Sequence, residues 1–325
     1  MAKPQTALEL RPATIDDADK VADLEMALTP DDARDPALLR FSWTAAPARE
    51  VSTRMLAERD GSAIAYLYAA HMPWEEIPKR FGSMRFLLHP TSWTEAQYEQ
   101  LVEAGEAWVR GEGGEIGVVR VRANIENDIR MLERRGYREV RRGRQWELDL
   151  VAHRARLLAG AEESRGRMRK EGVRLLPLDR DTDPDRLTKL YELSTIGDRD
   201  IPTTVPMHVK SYDEWHHRWF DNPGTRSDRV WIAREGDAIV GLSAIEYPPT
   251  RGAPWTAFTT TARSVRGRGI ARALKYETIA QAIELGVERI RTQNDGENAP
   301  ILHINAQMGY EPIDPVLELH RELNS

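Results

Sequence analysis

Residues 263–275 read RSVRGRGIARALK, a cluster of arginines and glycines that runs into an alanine- and leucine-rich segment. These residue types suit an anion. Gly267 and Gly269 carry no side chain, so a phosphate can approach the backbone. Arg266 and Arg268 offer charge-assisted hydrogen bonds. Upstream, PWTAFTTTA (254–262) is rich in Thr and aromatics, as strands are. Downstream, residues 270–285 contain no proline or glycine and read as a helix stopped by Gly286. Apolar residues spread around much of its circumference, which predicts a largely buried helix. The glycines therefore stand between a strand and a helix N-terminus, where backbone N–H groups lack partners and the dipole is positive. Such a junction takes a diphosphate; a plain surface turn has the same residue types.

Composition narrows the partners. The chain has 325 residues, room for two domains of ordinary size, with 41% apolar and 30% charged residues. Its formal net charge of −6 argues against a nucleic-acid binder, and the basic run RRGYREVRRGR (134–144) reads as solvated surface. With no cysteine, a disulfide, a thiol nucleophile and a zinc ribbon are excluded, and a reducing cytoplasm fits. No stretch approaches the roughly 18 apolar residues of a membrane span, and the first residues lack the apolar core of a signal peptide. A cytoplasmic protein without membrane or nucleic-acid partners is expected. His216 and His217 are adjacent and diverge by about 100° on a helix, so no metal site is expected. Ser211 and Glu214 have capping-box spacing, and Trp215 and Trp219 read as core.

Three anchors recur in order. LELRPATIDDADKVADL from Leu8 matches VRLLPLDRDTDPDRLTKL from Val173. The hairpin pattern LAERDGSAIAYL from Leu56 matches IAREGDAIVGLS from Ile232. Helices close at Gly136-Tyr137 and at Gly309-Tyr310, where Gly suits a left-handed cap. The offsets are 165, 176 and 173 residues, which predicts a duplicated unit of about 150 residues. The expected division is 1–150, a helical linker over 151–172, and 173–325. Each half reads as strand, helices, hairpin, strand, helix, strand, helix, strand. The fold class is mixed α/β, with a largely antiparallel sheet flanked by helices.

In this setting Arg266-x-x-Gly269-x-Ala271 resembles the acyl-CoA pyrophosphate loop of the GCN5-related N-acetyltransferases (GNAT). The strand IRTQN ending at Asn294, the helix opening at Asn298 and its Gly309-Tyr310 closure resemble the family's next strand, cofactor-contacting Asn and Gly-aromatic ending. The resemblance covers 173–325. The first half has the outline without the loop: its fourth strand, MRFLLHP, leads into TSWTEAQYEQL, which has no Gly or Arg and places Glu95 where a diphosphate would lie. That half is expected to bind acyl-CoA poorly or not at all, and to brace the other half or wall the acceptor site.

The resemblance implies direct acyl transfer from acetyl-CoA to an amine, with no covalent enzyme intermediate. Thr260, Thr261 and Ala262 at the splayed strand end would pair with the pantetheine arm and stabilise the oxyanion. Arg266, Gly267, Arg268, Gly269, Ile270, Ala271, Asn294 and Asn298 complete the expected cofactor site. Many members carry a thiolate-protonating Tyr seven residues after the Asn; Asn305 stands there. An amide can hydrogen-bond to sulfur but cannot serve as an acid at neutral pH. His303 on another face of that helix is a further candidate for the acid. Candidates for the base or for acceptor contacts are Glu246 at the end of the third strand, Asp200 with Asp198 in the inter-helix connection, and His208. The leading reading is an acetyl-CoA-dependent N-acetyltransferase acting on a small-molecule amine. A protein or peptide N-acetyltransferase and a non-catalytic acyl-CoA sensor are the alternatives. The intact loop argues against an aminoacyl-tRNA-dependent transferase.

Overall fold

The structure, a computed structural model, describes residues 7–76, 79–296 and 298–324; residues 1–6, read above for a targeting signal, lie outside it. The first copy runs β1 (Arg11–Pro12), α1 (Ala18–Leu28), α2 (Pro36–Thr44), β2 (Val51–Arg59), β3 (Ser62–His71), β4 (Phe81–Leu88), α3 (Glu95–Gly111), β5 (Ile116–Arg122), α4 (Glu126–Arg134) and β6 (Arg138–Asp149). The stretch read as a linker forms α5 (Arg154–Lys170). The same order then repeats as β7 (Val173–Pro177), α6 (Arg186–Arg199), α7 (Tyr212–Phe220), β8 (Val230–Glu235), β9 (Ala238–Glu246), β10 (Trp255–Thr261), α8 (Ile270–Glu284), β11 (Arg289–Asp295), α9 (Ala299–Met308) and β12 (Glu311–Glu322).

Local chemistry sets these elements. The β2–β3 turn places Asp60 and Gly61 at φ 51° and 78°, the left-handed pair that an Asp-Gly hairpin turn requires. Ser211 and Glu214 form the reciprocal capping box that starts α7. Gly309, at φ 86°, ends α9. Along each strand side chains alternate between faces. In the first half, Ala65, Leu67 and Ala69 of β3 pack on α3, while Tyr66 packs on α1. In the second, Val230 and Ile232 of β8 join Leu193 and Trp215, while Ala233 meets Ile270, Ala273 and Leu274 of α8.

The strands form one twelve-stranded sheet in the order β1-β2-β3-β4-β5-β12-β6-β11-β10-β9-β8-β7. Each copy is completed by the other's last strand: β12 pairs with β5 of the first half, and β6 pairs with β11 of the second. The two exchanged strands lie antiparallel at the centre, so the halves are related by a pseudo-twofold axis between them. The chain leads from β6 directly into α5, and α5 lies along α8. Gly160 faces the Tyr276 ring so closely that a Cβ would stand 2.6 Å from it, and Arg165 forks onto buried Glu277 at 2.7 and 2.9 Å. That packing holds β6 beside β11. Loops cross as well. Asp35, ahead of α2, caps that helix and also accepts from Thr250 N–H (2.6 Å) and Arg251 N–H (3.0 Å) of the other half. Burial opposes its ionisation, yet these four N–H bonds hold its pKa below the usual carboxylate value. Among the described residues no helix is long and apolar enough to cross a membrane.

Candidate functional site

The parallel strands β10 and β11 are paired only at Trp255–Arg291. Beyond that point they splay, and the edge of β10 that faces β11 is left open. A cavity of about 780 Å³ fills the gap. Its outer end is the arginine–glycine loop. Gly267 and Gly269 take φ of 82° and 84°, the left-handed region that favours glycine. Nothing stands within 4 Å of a Cβ placed on Gly267, and at Gly269 the nearest atom is the Arg167 guanidinium, at 3.4 Å. The first α-helical bond of α8 runs from Ala273 N–H to Gly269 O. The N–H groups of Ile270, Ala271 and Arg272 precede it and are left for a ligand. An open glycine cradle over a bare helix N-terminus, with Arg266 and Arg167 alongside, fits the diphosphate of an acyl-CoA.

The expected cofactor residues divide. Thr260, Thr261, Arg266, Gly267, Gly269, Ile270, Ala271, Asn294 and Asn298 all line this cavity. Asn298 stands at the N-cap of α9. Arg268 does not line it: its guanidinium turns away to Glu235 (2.9 Å) and Glu171 (3.4 Å). Ala262 is also outside, packed among apolar side chains with its N–H bonded to Val240 O. Asn305 is fully buried and donates to Asn294 Oδ1 at 2.7 Å. It therefore supports a residue that lines the cavity and does not line it itself.

The catalytic candidates divide too. His303 is exposed and bonded to Gln307, both on the cavity wall. Asp200 lines the cavity and ion-pairs with Arg263 and Arg266, which push its pKa down to about 2. A carboxylate so held is a poor proton acceptor at neutral pH. Asp198 pairs with Lys210 at 2.8 Å, and His208 bridges Glu76 and Glu214; both line a separate small cavity. Glu246 accepts from Asn222 at 2.7 Å and lines another cavity, of about 520 Å³. That cavity is walled by both halves: Glu25, Asp32, Arg85, Arg122 and Asp128 of the first, and Glu246 and Trp255 of the second. Gln293 on β11 lines both this cavity and the cradle cavity.

Arg167, Gly197 and Lys275 are among the lining residues that escape the sequence argument. Arg167 comes from the linker helix. Gly197 of α6 lets that helix close on β10, since a Cβ there would stand 2.6 Å from Thr260 Oγ1. Lys275 of α8 is 1% exposed and lies with its Nζ 5.1 Å from the centre of the Tyr310 ring. Among the described residues it makes no hydrogen bond or ion pair. Burial without a counter-charge pushes its pKa down to about 8. A lysine inside a helix expected to be largely buried is the signal that could have marked it.

In the first half β4 and β5 are paired only from Phe81–Ile116 to Met84–Val119 and part into the cavity that Glu246 lines, while side chains tie α3 to α4 beside another cavity of about 760 Å³. Trp93 Nε1 donates to Asp128 at 2.8 Å, joining the start of α3 to α4. Glu95 ion-pairs with Arg134 across the same gap, and Arg135 adds bonds to Glu99 and Glu106. The N-terminus of α3 is capped by its own Thr94. Within the basic run, Arg135, Arg141 and Arg142 have acidic partners, the latter two being Asp295 and Glu139. Among the described residues no group of three or more His, Asp or Glu is placed to hold a metal ion.

A family model described as the Acetyltransferase (GNAT) family matches residues 189–310. Solved structures share the whole outline. A tandem GNAT protein from the clavulanic acid biosynthesis pathway aligns over 98% of this chain and 99% of its own, with 17% identity and a TM-score of 0.74. A GCN5-related N-acetyltransferase from Sphaerobacter thermophilus aligns over 100% and 98%, with 19% identity and a TM-score of 0.66. No curated protein matches the sequence. Residues 189–310 thus resemble the GNAT family, and the whole chain shares the fold of these tandem GNAT structures.

Proposed function

We propose that this chain is an acetyl-CoA-dependent N-acetyltransferase whose second half binds the cosubstrate and whose acceptor is a small-molecule amine. One observation carries the reading: β10 and β11 part immediately after Trp255, opening a cavity that runs from a glycine cradle to the centre of the sheet. The bound cosubstrate would supply an acyl group activated as a thioester. The chain's own residues bind and orient. Arg266, Arg167 and the first N–H groups of α8 hold the diphosphate. The free edge of β10 pairs with the extended arm, and its N–H groups face the reacting carbonyl. Holding both partners in register supplies much of the rate.

The acceptor enters through the cavity between the halves. Its volume of about 520 Å³ suits a small molecule, and Gln293 joins it to the cosubstrate cavity. The first half walls this site; with the start of α3 capped by Thr94 and tied to α4 by Trp93–Asp128 and Glu95–Arg134, it takes no acyl-CoA. Glu246 faces the acceptor and is the candidate base. A thiol-release assay against a library of small amines and short peptides tests the reading. Turnover confined to small amines is expected. Tight acetyl-CoA binding without turnover on any amine would favour a sensor.

A further inference from the structure

In acyl transfer to an amine a proton must reach the departing sulfur; of the two positions marked from sequence, His303 is exposed and bonded to Gln307, and Asn305 cannot serve. Asn305 is an amide and lies behind Asn294, outside the cavity. We propose that Lys275 is the proton donor, its ammonium facing the coenzyme's sulfur at the inner end of the cradle cavity; the assignment rests on the acetyl-CoA reading. Three observations carry it. Lys275 lines the cavity together with Thr256, the residue directly after the last β10–β11 pair. It shares a helix face with Ala271, four residues earlier, which lines the same cavity near the glycine cradle. Its ammonium lies against the ring of buried Tyr310 and has no carboxylate partner, although the molecule gives a buried fork to Glu277 two residues on.

The other charged groups around this cavity are already engaged. Asp200 pairs with Arg263 and Arg266, and Asp295 with Arg141. Arg167 pairs with Glu171, while Arg272 and His303 bond to Gln307. Lys275 is the buried cation left facing the space, among the described residues. A thiol has an ordinary pKa near 8.5, so an ammonium weakened by burial is matched to it, and a neighbouring lysine favours the thiolate. As the C–S bond breaks, its electron pair stays on sulfur. A proton then passes from Nζ to sulfur, which leaves a neutral amine that water reprotonates.

The test is calorimetry of the full chain with CoA and with desulfo-CoA, in two buffers of different protonation enthalpy, at pH 7.5. CoA is expected to bind about tenfold more tightly than desulfo-CoA and to release a proton that desulfo-CoA does not. Lys275→Met keeps the apolar stem and is expected to bind both equally with no proton release; Lys275→Gln serves as a second variant. In turnover with an accepted amine, Lys275→Met is expected to lower kcat by about tenfold to hundredfold without raising KM for acetyl-CoA. It should also remove the decline in kcat above about pH 8. Wild-type binding that does not distinguish CoA from desulfo-CoA, or variants that keep the proton release, overturns the assignment alone. No binding of either compound overturns the acetyl-CoA reading and this assignment with it.

Discussion

In the reading proposed, Lys275 takes the part at the sulfur that the resemblance gave to Asn305. The amide expected at the sulfur is buried behind Asn294, and the lysine lines the cavity. The glycines, Arg266, Asn294 and Asn298, picked from the sequence, line the cavity, because backbone geometry at a strand–helix junction is a local property. Arg268, Ala262 and Asn305 do not, because which way a side chain turns depends on partners distant in sequence: Glu235 for Arg268, and the β11 wall for Asn305. The cost of burying Lys275 is measurable without any ligand. An unfolded lysine titrates near pH 10.4, and this one at about 8. Between those values the unfolded chain holds the extra proton, so stability rises with pH across that window. Lys275→Met is therefore expected to stabilise the protein by on the order of 3 kcal/mol at pH 7 and by little at pH 10.5. Denaturant unfolding at the two pH values checks this; an equal effect at both would mean the ammonium is not desolvated.

At the level of elements, the order of strands and helices was legible in both halves. Turn chemistry and alternation are local, and the repeated anchors disclosed the duplication. The exchange of β6 and β12 was not legible. Either strand has the same pattern whichever sheet edge it joins, and the choice is made by long-range packing of α5 on α8. The exchange has a consequence. A fragment of residues 173–325 lacks β6 beside β11 and leaves β12 with no partner from the first half. Fragments 1–172 and 173–325 are expected to be unfolded when made separately and to assemble when co-expressed, as read by circular dichroism and size-exclusion chromatography. A fragment 173–325 that folds alone and binds acetyl-CoA like the full chain would contradict the part assigned to the exchange.

The whole molecule uses one fold twice and, in the reading proposed, differently each time. In the second half, Gly267 and Gly269 leave a helix N-terminus bare beneath two arginines. In the first, Thr94 caps the helix, and Trp93–Asp128 and Glu95–Arg134 tie its start to α4. The cavity between the halves is lined from both sides, and Asp35 fastens the α2 end of the first half onto the 250–251 backbone of the second. The most direct test is a calorimetric titration of the full chain with acetyl-CoA. The expected result is one site per chain, abolished by Gly269→Glu, whose carboxylate would occupy the cradle from a backbone position that only glycine takes without strain. Two sites per chain, or one site that survives Gly269→Glu, would contradict the account.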